Sequence, residues 1–336
     1  MKKLLLIFLI ALLSATTGLA QNAPATDGEN WTQRLKTEQL QVGMLLQSIG
    51  VFSFQDDNFI GGRRFELGAT RLDVRGQLES NFVYRLQLEL RNSPSIIDAQ
   101  VGYRFSEQFR LVAGAFKPFL SADLDLSPGD TDFINRARLV GSMMKTREIG
   151  LTAIGHSGRF NYWFGMYNGY GLQRANDNRF MYTARLGYTA ETDEGAFDFG
   201  VYAALNSSVN EQVGNTNITS MGDRTLYGAF MKYEGDIWFG TIEFLQSKFD
   251  RLGFNAEETI TGFYTTIGNN LNEKDQLLAR WDYLSFDLQD NSSNRIILGW
   301  NHQATTLISF QLNLIGQFGE NQDDQFGLTG NFQFQF

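Results

Sequence analysis

From residue 325 to residue 336, apolar and polar positions alternate without a break. Phe326, Leu328, Gly330, Phe332, Phe334 and Phe336 share one parity; Gln325, Gly327, Thr329, Asn331, Gln333 and Gln335 share the other. Successive side chains of a strand point to opposite faces, so one face is apolar and the other polar but uncharged. Three phenylalanines in the last five residues would be an aggregation hazard on a free edge in water. They suit a strand whose apolar face meets lipid and whose polar face meets water inside a closed barrel.

The same alternation recurs along the chain. Segments 40–54, 64–79, 82–91, 96–105, 109–118, 147–155, 159–167, 180–190, 196–205, 224–233, 237–249, 258–268, 275–289, 294–303, 306–317 and 325–336 each read as a strand. Most approach the ~9–11 residues that a tilted strand needs to cross the hydrocarbon. The fold expected is therefore all-β, a transmembrane antiparallel β-barrel of about sixteen strands. Its connections sort by parity. The even ones are short, as at Ser80-Asn81, Ser106-Glu107-Gln108, His156-Ser157-Gly158, Glu234-Gly235-Asp236 and Ala304-Thr305. The odd ones include every long one, 119–146, 168–179 and 206–223. Bacterial outer-membrane barrels have short periplasmic turns and longer outer loops, whereas a soluble sandwich has no reason to sort its loops this way.

Composition agrees. Aromatics make up 14% of residues, with 29 Phe, while Pro is scarce at 4; aromatic girdles at two membrane interfaces call for such a balance. With no Cys there is neither a disulfide nor a thiolate metal site, and no cofactor is expected. Lys2 and Lys3 precede an apolar run from Leu4 to Leu13, and Gly18-Leu19-Ala20 follows. This reads as a signal peptide over 1–20, with a short periplasmic segment over 21–38 and the barrel over 39–336. The outer membrane is the expected location. Beyond Ala20 the chain has 26 basic and 37 acidic residues, because 28 less Lys2 and Lys3 leaves 26. That balance argues against a nucleic-acid partner.

Charge then fixes which face looks inward. An arginine on the lipid face at mid-membrane would cost ~2–4 kcal/mol. Phe82, Tyr84, Leu86, Leu88 and Leu90 therefore face lipid, and Val83, Arg85, Gln87, Glu89 and Arg91 face the lumen. The same phase turns Arg71, Asp73 and Arg75 inward, then Asp98, Gln100 and Arg104, then Arg185, and Arg280 with Asp282. The last two strands contribute only uncharged Gln311, Asn313, Asn331 and Gln333, which close the wall. Residues 60–150 hold 13 basic and 11 acidic residues, against 13 and 26 in the remainder beyond residue 20. Charge rings of this kind can set ion preference. The arginines could equally neutralise Glu89, Asp73 and Asp98 and only stiffen the wall.

The connection 119–146 is the longest. It joins Asp123, Asp125, Asp130 and Asp132 to an amphipathic basic stretch at 133–140. Loops this long are usually functional or mobile. It is expected to fold into the barrel and narrow it, bringing Arg136, Arg138, Lys145 and Arg147 to the constriction. The other use of such a loop is packing over the rim or against a neighbouring subunit.

Several stretches in order resemble the phosphate-selective porin O and P family. They include Arg71-Leu72-Asp73-Val74-Arg75-Gly76-Gln77-Leu78, Asp98-Ala99-Gln100-Val101-Gly102-Tyr103-Arg104 and Gly114-Ala115-Phe116-Lys117-Pro118-Phe119. Asp132-Phe133-Ile134-Asn135-Arg136-Ala137, Arg147-Glu148-Ile149-Gly150 and Leu278-Ala279-Arg280-Trp281-Asp282 follow, then the Phe-terminated last strand. The resemblance spans most of the chain. It implies a sixteen-stranded homotrimer with an inward third loop and a column of arginines, here 71, 75, 85, 104 and 136, guiding small anions such as phosphate. Phe336 resembles the signal read by outer-membrane assembly machinery. The chain departs from the family in its acidic balance.

The function expected is thus a porin for passive diffusion of small hydrophilic solutes or ions, with anion preference through the inward arginines. One alternative is a substrate-specific channel for sugars or oligomers, with Phe116, Tyr167 and Tyr170 as stacking faces. Another is an outer-membrane hydrolase. Such an enzyme needs a Ser, a His and an orienting partner near the rim. His156 sits in a short turn and His302 near the end of the fourteenth strand, so no enzyme is expected. The acidic pair Asp123/Asp125 lacks EF-hand spacing, so no metal is expected.

Overall fold

The computed structural model describes residues 36–55, 57–174, 177–254, 256–319 and 322–336. The expected signal peptide, and the lead-in as far as residue 35, lie outside the described residues. The compact unit Glu38–Phe336 is a single closed sheet.

Sixteen strands build it: β1 Gln41–Ser53, β2 Arg63–Leu78, β3 Phe82–Glu89, β4 Ser95–Ser106, β5 Phe109–Phe116, β6 Glu148–Ser157, β7 Phe160–Tyr167 and β8 Met181–Thr192. β9 Gly195–Asn206, β10 Thr219–Gly235, β11 Trp238–Arg251, β12 Glu257–Asn270, β13 Asp275–Phe286, β14 Asn291–Gln303, β15 Ile308–Gly319 and β16 Gln322–Gln335 complete the wall. Each strand pairs antiparallel with its sequence neighbours. β1 pairs with β16 as well as β2, from Leu45↔Gln335 to Ser53↔Gly327, so the ring closes with no free edge. That closure satisfies every wall strand on both sides, which a membrane interior demands. Besides the wall, Glu211–Gln212 forms a two-residue strand against Thr219 and Ser220.

The two faces separate as the alternation requires. Val101, Leu151, Leu186, Val201, Ile242, Leu298 and Leu312 are exposed on the outside, while Gln87, Asp98, Glu243, Arg280, Asp282 and Asn313 are buried on the inside. Exposed apolar side chains over a closed sheet mark a lipid surface rather than a folding fault. Aromatic rings gather beside the short turns. Phe82, Tyr103, Phe105 and Phe109 form a chain with centroids 4.9, 4.8 and 5.6 Å apart. Phe160–Tyr188 and Phe197–Tyr233 extend the belt. Phe52–Phe54 and Phe318–Phe326 stand at the opposite end. Two belts with an apolar band between them are the girdles of a membrane barrel. No helix among the described residues is long and apolar enough to cross a membrane.

The even connections have two to four residues, and the long ones are all odd. Strand ends differ from expectation in places. β3 stops at Glu89, because Asn92 takes a positive φ of 61° and Pro94 has no N–H for the ladder. Arg91 therefore lies in an exposed turn, donating to the Leu67 carbonyl at 3.4 Å, and not on the inner wall. β10 begins earlier than expected, at Thr219, with a register irregularity between Ser220 and Arg224.

Candidate functional site

The connection between β5 and β6 carries two short helices, α1 Ala122–Asp125 and α2 Arg138–Met143. It lies against the inner wall, because its partners are inward side chains. A buried acid on β11 receives its start. Glu243 is fully buried and accepts from Ser121 Oγ at 3.0 Å, Ala122 N at 3.2 Å and Tyr202 Oη at 2.6 Å. Ser121 Oγ also accepts from Leu124 N at 3.2 Å, an N-cap. Free N–H groups at a helix start favour a negative partner, and the wall supplies one.

Uncharged inward amides hold the middle of the loop. Gln47 donates to the Pro128 carbonyl at 3.0 Å, Gln333 to Gly129 at 2.9 Å and Gln311 to Thr131 at 2.9 Å. Asn301 donates to the Asp132 carbonyl at 2.9 Å, and Asn313 accepts from Ile134 N at 3.0 Å. A loop buried in this way must satisfy its backbone somewhere, and neutral amides can both donate and accept. The polar parity of β15 and β16 thus does more than close the wall, since it carries the loop.

Packing completes the anchorage. Phe133 is fully buried among Leu278, Ile297 and Ile315. A Cβ at Gly299 would stand 3.0 Å from its ring, and one at Gly262 would stand 2.5 Å from the Leu139 Cβ. Glycine at these two wall positions lets the loop approach. Arg280, 2% exposed, sits 4.4 Å over Phe133 and 5.1 Å over Tyr264. It donates to the Asn135 carbonyl at 3.2 Å and lies 3.7 Å from Asp123.

The expected cations divide by partner. Arg138 is spent on the wall, with 2.6 Å to Ser293 Oγ and 3.4 Å to Asp282. Lys145 meets Glu211 at 3.1 Å, and Arg147 meets Asp98 at 2.8 Å. Burial raises the Glu211 carboxyl, and Arg224 and Lys145 oppose that shift. Arg136 bonds the carbonyls of Asp123 and Leu126 within its own loop. Arg185 pairs with Asp125 and lies 4.6 Å over Trp163. Arg71 pairs with Glu89 at 3.1 Å, and Arg85 with Asp73 at 2.7 Å. Arg75 is the most open, its side chain 58% exposed and 3.9 Å from Asp73. The Arg104 guanidinium donates to Gln77, at 2.9 Å.

Two further cations, one on β5 and one just beyond its end, belong with these though no expectation named them for the lumen. Arg110 lies directly opposite Arg104 in register, and Lys117 donates to the carbonyls of Leu124 and Asp125. Arg110 was legible: Leu111, Ala113 and Ala115 set the outward parity of β5 and leave position 110 inward. Glu243 was legible in the same way, between outward Ile242 and Phe244.

Space remains on two sides of the loop. A cavity of about 460 Å³ against β2–β6 is lined by Arg75, Arg85, Arg104 and Arg110, with Glu38 as its one acid. It shares Arg104, Arg110, Phe119 and Ile154 with a wider one of about 790 Å³ at the short-turn end. It shares Arg85, Gln100 and Phe119 with a narrower one of about 120 Å³ that reaches Arg71, Lys117 and Arg147. Across the loop, a cavity of about 450 Å³ is lined by Asp123, Asp130, Asp132 and Glu234 against Lys232 and Arg280.

Two of the three expected stacking faces are closed. Phe116 and Tyr167 are 3% and 1% exposed and pack against each other at 5.9 Å. Tyr170 donates to the Val209 carbonyl at 2.6 Å in an outer loop. His156 faces the Glu107 carbonyl at 3.3 Å in its turn. His302 bonds Asp275 at 2.8 Å and stacks on Trp300, which is exposed on the outer face. Asp123 and Asp125 serve the arginines already named, and no acidic or histidine cluster among the described residues could hold a metal ion.

A family model described as phosphate-selective porin O and P matches residues 48–229. No curated protein matches the sequence. Among solved structures, an anion-selective porin from Comamonas acidovorans superposes with a TM-score of 0.70 at 12% identity, covering 89% of this chain and 99% of that one. In vitro folded OmpT of Vibrio cholerae, an outer-membrane protein in its trimer form, gives 0.66 at 11% identity, covering 89% and 99%. The outer-membrane channel DcaP of Acinetobacter baumannii gives 0.63 at 10%, covering 88% and 97%. At such identities the likeness is one of fold.

Proposed function

We propose a passive, anion-preferring route through this outer-membrane porin, a chain that belongs to the phosphate-selective porin O and P family. The observation that carries the preference is the series of adjoining cavities along β2–β6, where Arg75, Arg104 and Arg110 are the least neutralised arginines. A fixed positive potential in a narrow aqueous passage raises the local anion concentration. Arg71, Arg85 and Arg147 line the same route with carboxylate partners, so they contribute shape and a weaker field, and Arg136 shapes the loop from within. Arg138, Lys145, Arg185 and Arg280 act through the loop, which they and Glu243 hold as the constriction. Arg91 takes no part. The acidic cavity across the loop favours a second reading, a cation route beside Asp130 and Asp132.

The protein works without catalysis, as a channel. Residues 1–20 serve as a cleaved export signal and 21–38 as a periplasmic lead-in. The subunits assemble as a homotrimer in outer-membrane lipid, with Phe336 read by the assembly machinery. The trimer form of the Vibrio protein supports that assembly. Reversal potentials of the purified protein in planar bilayers under a KCl gradient test the preference. A chloride-directed potential is expected; a potassium-directed one would transfer the route to the acidic cavity.

A further inference from the structure

The basic cavity has an apolar floor. In the lumen of a water-filled barrel, inward positions are ordinarily polar. Here Val83, Gly102 and Val112 lie in one register row, and Val83 and Val112 close over Gly102. The adjacent row runs Arg104, Arg110, Ile154 and Trp163. Phe119 stacks on Trp163 at 6.4 Å from the loop side. Val112 and Ile154 are 6% and 8% exposed. Apolar side chains and guanidinium groups thus alternate across one patch of wall.

The two guanidiniums of that patch face each other in register, an arrangement that costs stability. Among the described residues, no carboxylate lies within ion-pair distance of either. Every other pair of wall charges described above is relieved by an acid: Asp73 stands between Arg75 and Arg85, and Asp98 meets both Arg85 and Arg147. An unrelieved pair beside an apolar floor calls for an anion that carries its own apolar body.

We propose that this cavity binds small organic monocarboxylates with an apolar or aromatic body. The carboxylate bridges Arg104 and Arg110 through charge-assisted hydrogen bonds. The body lies over Val83, Val112 and Ile154. About 460 Å³ falls in the range of small-molecule sites. An inorganic oxyanion would leave the apolar floor uncovered, so this ligand class differs from one that charge alone would select. The proposal rests on the lumen being the solute route, but binding does not require that the channel conduct.

Calorimetric titration of the detergent-folded protein tests it, with phenylacetate and hexanoate as probes and acetate and inorganic phosphate as references. Phenylacetate and hexanoate should bind at least about tenfold more tightly than either reference, as one or two buried methylenes and a ring would give. Arg104→Gln with Arg110→Gln should weaken phenylacetate by about tenfold or more. Val112→Thr with Ile154→Thr should remove the advantage of hexanoate over acetate. Heat-modifiable mobility on gels verifies that each variant has folded. Equal affinity for acetate and hexanoate, tighter binding of phosphate than of phenylacetate, or indifference to the arginine variants would overturn the proposal. Reversal potentials measured in parallel report on anion preference alone, so failure of one reading is distinguishable from failure of the other.

Discussion

The walls β2–β6 and β10–β16 share one architecture and use their inward residues differently. On β2–β6 the inward arginines border open space, and two of them have no acid beside them. On β10–β16 Glu243, Arg280, Asp282, Asn313 and Gln333 all bind the inward loop, while Lys232 and Glu234 pair with each other beside the cavity across it. Arginine therefore has two meanings in this barrel. Beside water and other cations it makes a field. Beside a loop carbonyl or a buried acid it makes a fixture. Residue type and parity alone do not separate the two; the partner does.

The sharpest way to break the contrast is to remove a fixture. Arg280→Met leaves Asp123 buried without its wall partner and takes a cation from over Phe133. Breaking a buried pair from one side costs about 3–5 kcal/mol. The urea midpoint of the folded protein should fall, and single-channel conductance should rise as the loop leaves the lumen. An unchanged conductance would mean that the loop is held without Arg280.

A smaller effect of the same kind is expected from the neutral strands. Asn313→Ala removes the acceptor of Ile134 N and leaves a buried N–H unmatched, at a cost of about 1–3 kcal/mol. The midpoint should drop by that amount while the reversal potential stays where it was. A shift in ion preference without loss of stability would place Asn313 on the route instead of under the loop.

Much of this was legible in the chain, and the missing part has a physical reason. Period-two alternation set the face of Arg71, Arg85, Gln100 and Arg280 because one charge in lipid outweighs every local preference. The closing strand was readable from its own parity, and β1 pairs with it in nine positions. What alternation cannot carry is the identity of a partner far along the chain. Glu243 was visibly inward, but its donors from the loop lie more than 100 residues away, at Ser121 and Ala122. Gln311 and Asn313 looked like inert wall because nothing near them names the loop that they bind. Arg91 was misassigned because its parity continues that of β3, while Asn92 and Pro94 end the strand before it.

On the open wall the prediction reverses sign. Replacing Arg104 and Arg110 with Gln removes an in-register like-charge pair, so stability should hold or rise by roughly 0.2–1 kcal/mol. Ion preference should weaken at the same time. Stability and selectivity thus move in opposite directions here, whereas on β10–β16 a change costs stability first. If the double variant were instead destabilised by as much as Arg280→Met, the pair would be structural, and the field would have to come from Arg75 and Arg85.

Arg91 supplies the zero of this scale. It is an arginine of the same parity as Arg85, two positions beyond Glu89, yet it lies in an exposed turn, its guanidinium making one long bond, 3.4 Å, to the Leu67 carbonyl. Exposed substitutions away from caps and networks stay within about ±0.5 kcal/mol. Arg91→Gln should therefore leave the midpoint within that range. At moderate salt it should also leave the reversal potential unchanged, because a charge in open solvent is screened over ~10 Å at 0.1 M. The measurement is informative at two ionic strengths. A residual effect at low salt that vanishes at high salt is what a charge at the outer mouth gives. An effect that survives high salt requires a charge within the narrow passage, and would return Arg91 to the wall from which the turn at Asn92 removes it.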